Sequence, residues 1–314
     1  MKAAPMTETS FEHKDLTGIG KLSADDINII LDRAQYFADA LEKNAALPQT
    51  LNGKVIFNLF FENSTRTRLS FEMAAHRLGA NIINWDTASS SVSKGETFDD
   101  TIKTLNAMRP DGIIIRHSDF GAPEYVGNNV DCPVVNAGDS YREHPTQALL
   151  DALTIKQIKG RIEGLTIAIC GDVAHSRVAN SNIILLKKLG AHVRVIAPPF
   201  LMPQKFPAAD IETFESLESG LPDCDIVMML RNQKERMEAG LIKDDTEFFN
   251  QFGLTTERLA LAKPDAYVMH PGPMNRNVEI ADGVADDPHK SLITRQVANG
   301  IPTRMAVLEL LMGA

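Results

Sequence analysis

Cysteine is nearly absent from this chain. The three present, Cys132, Cys170 and Cys224, are widely spaced, odd in number and without a Cys-x-x-Cys pair, which argues against a disulfide framework and offers no zinc-ligand spacing. A reducing, cytoplasmic setting suits such a chain. Long apolar runs are missing as well. None approaches the roughly 18 residues of a membrane span, and Met1 to Gly20 has no apolar signal core, so a soluble protein is expected. Positive charge is also scarce: 32 Lys plus Arg stand against 41 Asp plus Glu, a net of −9. That balance speaks against a nucleic-acid or anionic-membrane surface, and any anionic ligand must be held by a local cluster. No internal repeat is visible.

What the chain does contain is a regular alternation of strand-length apolar runs and helical patterns, the signature of an α/β architecture with mainly parallel sheets. Its 314 residues suit two domains of roughly 100 to 200 residues each. Ser23 followed by Asp26 opens a helix through about Leu41. A strand over Val55 to Phe61 leads to a helix ending at Gly79, and shorter strands follow at Ile82 to Trp85, Gly112 to Arg116 and Val134 to Asn136. A helix from Pro145 to about Ile158 ends at Lys159-Gly160, a boundary signal. Strands then recur at Thr166 to Cys170, His192 to Ile196, Ile226 to Leu230 and Ala266 to Met269. Two helical stretches, about Pro288 to Ala298 and Pro302 to Leu311, close the chain, with Pro302 read as a first helical position.

The densest chemical signal is Ser64-Thr65-Arg66-Thr67-Arg68, at the junction of a strand and a helix. Backbone N–H groups in a helix's first turn lack intrahelical partners, and the helix dipole adds partial positive charge there, so a phosphate gains hydrogen bonds and favourable charge together. Two arginines and three hydroxyls crowd the same point. By contrast, the second-half strand-helix-strand unit turns through Gly171-Asp172-Val173-Ala174 and lacks the further glycines that let a backbone approach a pyrophosphate, which argues against a nicotinamide cofactor. Polar residues follow the later strands at Arg231-Asn232-Gln233 and His270-Pro271-Gly272-Pro273, where ligands of open α/β sheets sit.

Seven segments then fall into a known order: FFENSTRTRLSFEMAAHRLGA (60–80), SSSVSKGET (89–97), IIIRH (113–117), HPTQALLD (144–151), GDVAHSRVANSN (171–182), LRNQKER (230–236) and HPGPMNR (270–276). Together they resemble the aspartate/ornithine carbamoyltransferase family. Thr146, where the ornithine branch typically has Cys, and His270-Pro271-Gly272-Pro273, where it has a His-Cys-Leu-Pro stretch, favour the aspartate branch. The resemblance implies two domains, each a mainly parallel sheet flanked by helices: a carbamoyl-phosphate-binding domain at 1–148, joined by a C-terminal helix (about 297–314) returning to it, and an aspartate-binding domain at 149–296. It implies transfer of the carbamoyl group from carbamoyl phosphate to L-aspartate, the committed step toward pyrimidines in many bacteria, without metal or redox cofactor.

By motif match, Ser64, Thr65, Arg66, Thr67 and Arg116 would cradle the phosphate, and Thr67, Arg116 and His144 would face the carbamoyl oxygen. Gln147, one helical turn past His144, would meet the carbamoyl group with the backbone carbonyls of Gly272 and Pro273. A histidine at a helix start is disfavoured as imidazolium, so a neutral, polarising ring is expected. Arg177, Arg231, Lys94 and Gln233 would bind aspartate. The loop carrying Ser90 and Lys94 would be donated across a subunit boundary, making a homotrimer with shared sites, which regulatory chains or a dihydroorotase could join. Two departures stand out: Asn277 where the family commonly has Gly, tolerable if positive φ is needed, and Val178 where some relatives carry a hydroxyl. The competing readings are a carbamoyltransferase for another amine such as ornithine, a non-catalytic scaffold, and a dinucleotide-dependent oxidoreductase.

Overall fold

The apolar runs form two parallel sheets in the computed structural model, which describes residues 11–85, 95–233 and 244–313. Ser90 and Lys94 lie outside those residues. The first half runs α1 (Ala24–Glu42), β1 (Val55–Phe60), α2 (Thr65–Arg77), β2 (Asn81–Trp85), α3 (Phe98–Ala107), β3 (Gly112–His117), α4 (Ala122–Asn129), β4 (Val134–Asp139) and α5 (Pro145–Lys159). The second continues through β5 (Thr166–Cys170), α6 (Arg177–Lys188), β6 (His192–Ile196), β7 (Glu212–Phe214), α7 (Leu217–Gly220), β8 (Ile226–Met229), α8 (Asp245–Phe252), α9 (Thr256–Leu259), β9 (Tyr267–Met269) and α10 (Asp282–Ala285), and ends with α11 (Ile293–Met312).

Local chemistry explains the boundaries. Ser23 and Asp26 form a reciprocal capping box at the start of α1, satisfying two donors that the helix cannot. Gly160 ends α5 in the left-handed conformation, φ 74°, which glycine adopts without a Cβ penalty.

Strand order places the ends that matter. The first sheet runs β2-β1-β3-β4 and the second β7-β6-β5-β8-β9. Each order reverses once, between β1 and β3 and between β5 and β8. Such reversal points leave a crevice at the carboxyl ends of the strands, because the helices that follow depart to opposite faces. The Ser64 turn follows β1 and Arg116 lies in β3, paired with Phe60. Arg177 begins the helix after β5, and Arg231 follows β8.

A continuous apolar core runs through both sheets and includes Phe37, Phe71, Ile114, Leu149, Ile169, Val227 and Leu308. A second cluster, with Phe57, Leu59, Ile102, Ile113 and Val126, fills the opposite face of the first sheet beneath α3 and α4. Helix α11 returns to pack on α1, α2 and α5.

One expectation is corrected here. The two closing helices are a single helix, with Pro302 inside it. An interior proline forfeits one backbone bond and costs about 3 kcal/mol, but Met305, Ala306 and Leu308 beyond it are fully buried, and that packing outweighs the loss. Strand β4 also runs past Asn136 to Asp139, and β7 and helices α3 and α4 complete layers that the pattern left unassigned.

The core that ties α11 to the first half is directly testable. Phe37 of α1 is fully buried, so Phe37→Ala is expected to lower the unfolding free energy by about 3–5 kcal/mol through lost burial and a residual cavity. Urea unfolding followed by circular dichroism measures it, and a loss below about 1 kcal/mol would contradict this packing.

Candidate functional site

A cleft of about 750 Å³ lies where the two reversal points face each other, lined from the first half by Glu62, Ser64 to Thr67, Arg116, His144 and Gln147, and from the second by Arg177, Arg231, Gln233 and Gly272-Pro273. Three helix starts open onto it: those of α2, α5 and α6. Each brings the partial positive charge of its helix dipole to one space. Ser64 stands at the N-cap of α2, yet its side chain makes no capping bond. The serine is thus not spent on the helix, and the turn keeps its donors for a ligand.

Two of the cationic groups are fixed by one acid. A single oxygen, Glu62 Oε2, accepts from Arg116 Nε at 2.9 Å and from Arg177 Nη2 at 2.8 Å. Arg177 is 6% exposed, and its Nη1 is buried with no hydrogen-bond partner. Gly138 makes room for that guanidinium: its φ is 139°, and a Cβ there would fall 3.0 Å from Arg177 Nη1. Across the cleft, a Cβ on Gly272 would sit 3.5 Å from Arg66 Cζ, so the α2 start and the loop after β9 lie close together. Partial burial and the nearby positive charge of Arg231 lower the Arg66 pKa. Among the described residues Arg66 makes no ion pair. An uncompensated guanidinium at an open helix start is an anion site by charge and by geometry.

His144 caps the start of α5 ahead of Pro145, and its backbone N–H donates to Ser181 Oγ at 2.8 Å. Its ring is held neutral. Burial drives the pKa well below 6.5, helped by Arg116, Arg177 and Arg304. Burial and three arginines thus act in the direction expected from the helix start. Gln147 donates through Nε2 to Asp151 Oδ1 at 3.0 Å. Gln233 is held at both ends, its N–H on Asp172 Oδ2 at 3.0 Å and its Nε2 on the His175 carbonyl at 3.0 Å. Asn277 adopts φ 58°, the conformation in which asparagine is the best substitute for glycine.

Every described residue expected at the site lines this cleft; Ser90 and Lys94 lie outside the described residues. Sequence reasoning passed over Glu62, Arg304 and Gln296, which also line it. Glu62 had a signal, being an acid two residues before a cationic turn. Arg304, 3% exposed and stacked 4.9 Å over Phe71, had none, because only the packing of α11 turns it inward. Its burial lowers its pKa to about 9.

Fold and cleft together define a two-lobed α/β protein that takes a small, strongly anionic molecule between its sheets. Residues 14–157 match the family model for the aspartate/ornithine carbamoyltransferase carbamoyl-P binding domain, and 163–311 that for the Asp/Orn binding domain. The chain belongs to the aspartate/ornithine carbamoyltransferase family. It is 55% identical over 305 residues to an aspartate carbamoyltransferase catalytic subunit of Beijerinckia indica, covering 97% of this chain and 96% of the relative. A homologue of the same description from Ruegeria pomeroyi is 52% identical, covering 96% and 97%. Among solved structures, Trypanosoma cruzi aspartate transcarbamoylase in complex with carbamoyl phosphate and aspartate superposes with a TM-score of 0.85 at 32% identity, covering 95% of both chains. Ornithine carbamoyltransferase from Pyrococcus furiosus gives 0.87 at 30% identity, covering 96% and 97%.

The His144 environment makes a pH prediction. A ring whose folded pKa lies below the unfolded 6.5 adds stability that is present above about pH 6.5 and lost as pH falls. NMR titration of the folded protein should leave the His144 ring neutral at pH 6; protonation with a midpoint at 6.5 or above would contradict its burial.

Proposed function

We propose that this chain is the catalytic subunit of an aspartate carbamoyltransferase, transferring the carbamoyl group of carbamoyl phosphate to the amine of L-aspartate. The observation that carries the reading is the pooling of cationic groups from both lobes in one cleft, Arg66 and Arg116 from the first and Arg177 and Arg231 from the second. Ser64, Thr65, Arg66 and Thr67 with the α2 start hold the phosphate, and Arg116 adds a planar guanidinium that a lysine could not copy. Thr67, Arg116 and neutral His144 donate to the carbamoyl oxygen, on which charge builds as the amine nitrogen bonds to carbon. Gln147 and the carbonyls of Gly272 and Pro273 receive the carbamoyl NH2.

The carbon–oxygen bond to phosphate then breaks. The amine loses a proton and the departing phosphate accepts it, so the protein's part is chiefly positioning and charge stabilisation. Arg177, Arg231 and Gln233 receive the two carboxylates of aspartate. Ornithine's cationic side chain would meet arginines at the same place, which disfavours it. Ser90 and Lys94 reach the site from a neighbouring subunit of a cytoplasmic homotrimer, and regulatory chains or a dihydroorotase are its candidate partners. The returning α11 joins the C-terminus to the carbamoyl-phosphate-binding domain, while residues 149–296 form the aspartate-binding domain.

Carbamoyl transfer assayed with aspartate and with ornithine tests the reading. Turnover is expected with aspartate only, and Arg66→Ala should lower kcat by about three orders of magnitude, the cost of removing a preorganised charge donor. Preference for ornithine, or an unimpaired Arg66→Ala, would overturn it.

A further inference from the structure

Behind the cleft wall lies a buried carboxylate that the reaction just described does not use. Asp151 of α5 is fully buried, and three amide NH2 groups converge on it. Gln147 Nε2 and Gln296 Nε2 donate to Oδ1 at 3.0 and 2.8 Å, and Asn182 Nδ2 donates to Oδ2 at 2.9 Å. The donors come from α5, α11 and α6, so this one acid joins both lobes.

These bonds dictate which atom each amide presents elsewhere. A carboxylate accepts and repels an amide oxygen, so each side chain must turn its NH2 inward and its oxygen outward. For Gln296 the outward atom is accounted for: its Oε1 accepts from the His270 N–H at 2.8 Å, and His270 Nδ1 accepts from the Gly272 N–H at 2.9 Å. A chain of bonds therefore runs from Gln147 through Asp151, Gln296 and His270 to Gly272. Its two ends both line the cleft, one on each lobe.

We propose that Asp151 is a positioning residue for the carbamoyl end of the substrate: it turns the Gln147 amide so that its oxygen faces the cleft, and through Gln296 and His270 it sets that oxygen in register with Gly272 and Pro273. The inference rests on the carbamoyl phosphate reading given above. It explains how a glutamine, whose amide could face either way, presents an acceptor to a carbamoyl NH2. It also explains why a carboxylate is kept fully buried at a desolvation cost. Burial pushes its pKa up to about 6 against the pull of the three amides and Arg304, which leaves it ionised at neutral pH.

The test compares two probes by calorimetric titration: inorganic phosphate, which lacks the carbamoyl group, and phosphonoacetamide, which carries a carboxamide beside a phosphonate. Wild type should bind phosphonoacetamide the more tightly. Asp151→Asn should weaken phosphonoacetamide about tenfold while changing phosphate by less than about twofold. Gln147→Ala should show the same pattern, and the double variant should be no weaker than Gln147→Ala alone. Asp151→Glu, which retains a buried charge but displaces it from Gln147, should shift in the same direction and serves if Asp151→Asn does not fold.

Equal weakening of both probes, additive losses in the double variant, or failure of both Asp151 variants to fold would overturn the proposal and leave a purely structural acid. Absence of any wild-type preference for phosphonoacetamide would instead count against the carbamoyl phosphate reading itself.

Discussion

One oxygen of Glu62 holds two arginines that arrive from different sheets, Arg116 from β3 and Arg177 from the start of α6. Everything at the cleft depends on that shared contact. Without it, two guanidiniums would face each other beside Arg66 and Arg231 at the mouths of three helices, all positive. With it, the planes of both arginines are fixed and part of their charge is offset. The guanidinium of Arg66 at the open α2 start is what an anionic ligand finds. A chain carrying a net charge of −9 thus concentrates positive charge at one point without becoming a general anion binder.

The fold makes this concentration inexpensive. Both sheets reverse strand order at the same crevice, so residues more than a hundred positions apart in sequence reach it from rigid strand ends. The helix that returns from the second half to the first, α11, carries Arg304 and Gln296 to the cleft's inner wall and packs on α1, α2 and α5. Behind that wall the Asp151 network satisfies amides from three helices. Burying polar groups is costly unless they are hydrogen-bonded, and Asp151 supplies that bond to one amide from each helix.

The local parts of this design were legible in the sequence. The strand-to-helix position of Ser64 to Arg68 follows from periodicity, and the residues after β8 and β9 follow from the rule that ligands meet strand ends. What local pattern could not give was anything decided by packing between distant elements. Pro302 reads as a helix start by propensity, yet burial carries the helix through it. Arg304 reads as an ordinary helical arginine until α11 is placed against α2. Glu62 reads as a neighbour of the cationic turn, and its role emerges only when Arg177 of the other sheet reaches the same oxygen. A neutral His144 was foreseen from its helix position, but the burial and the three arginines that act in the same direction are properties of the assembled cleft.

The most direct measurement is a crystal structure of the protein with carbamoyl phosphate bound. The phosphate is expected against the N–H groups of Thr65 to Thr67, within hydrogen-bond reach of Arg66 and Arg116, with the carbamoyl group directed at His144 and Gln147. A phosphate seated instead on Arg231, or a carbamoyl group turned away from His144 and Gln147, would contradict it.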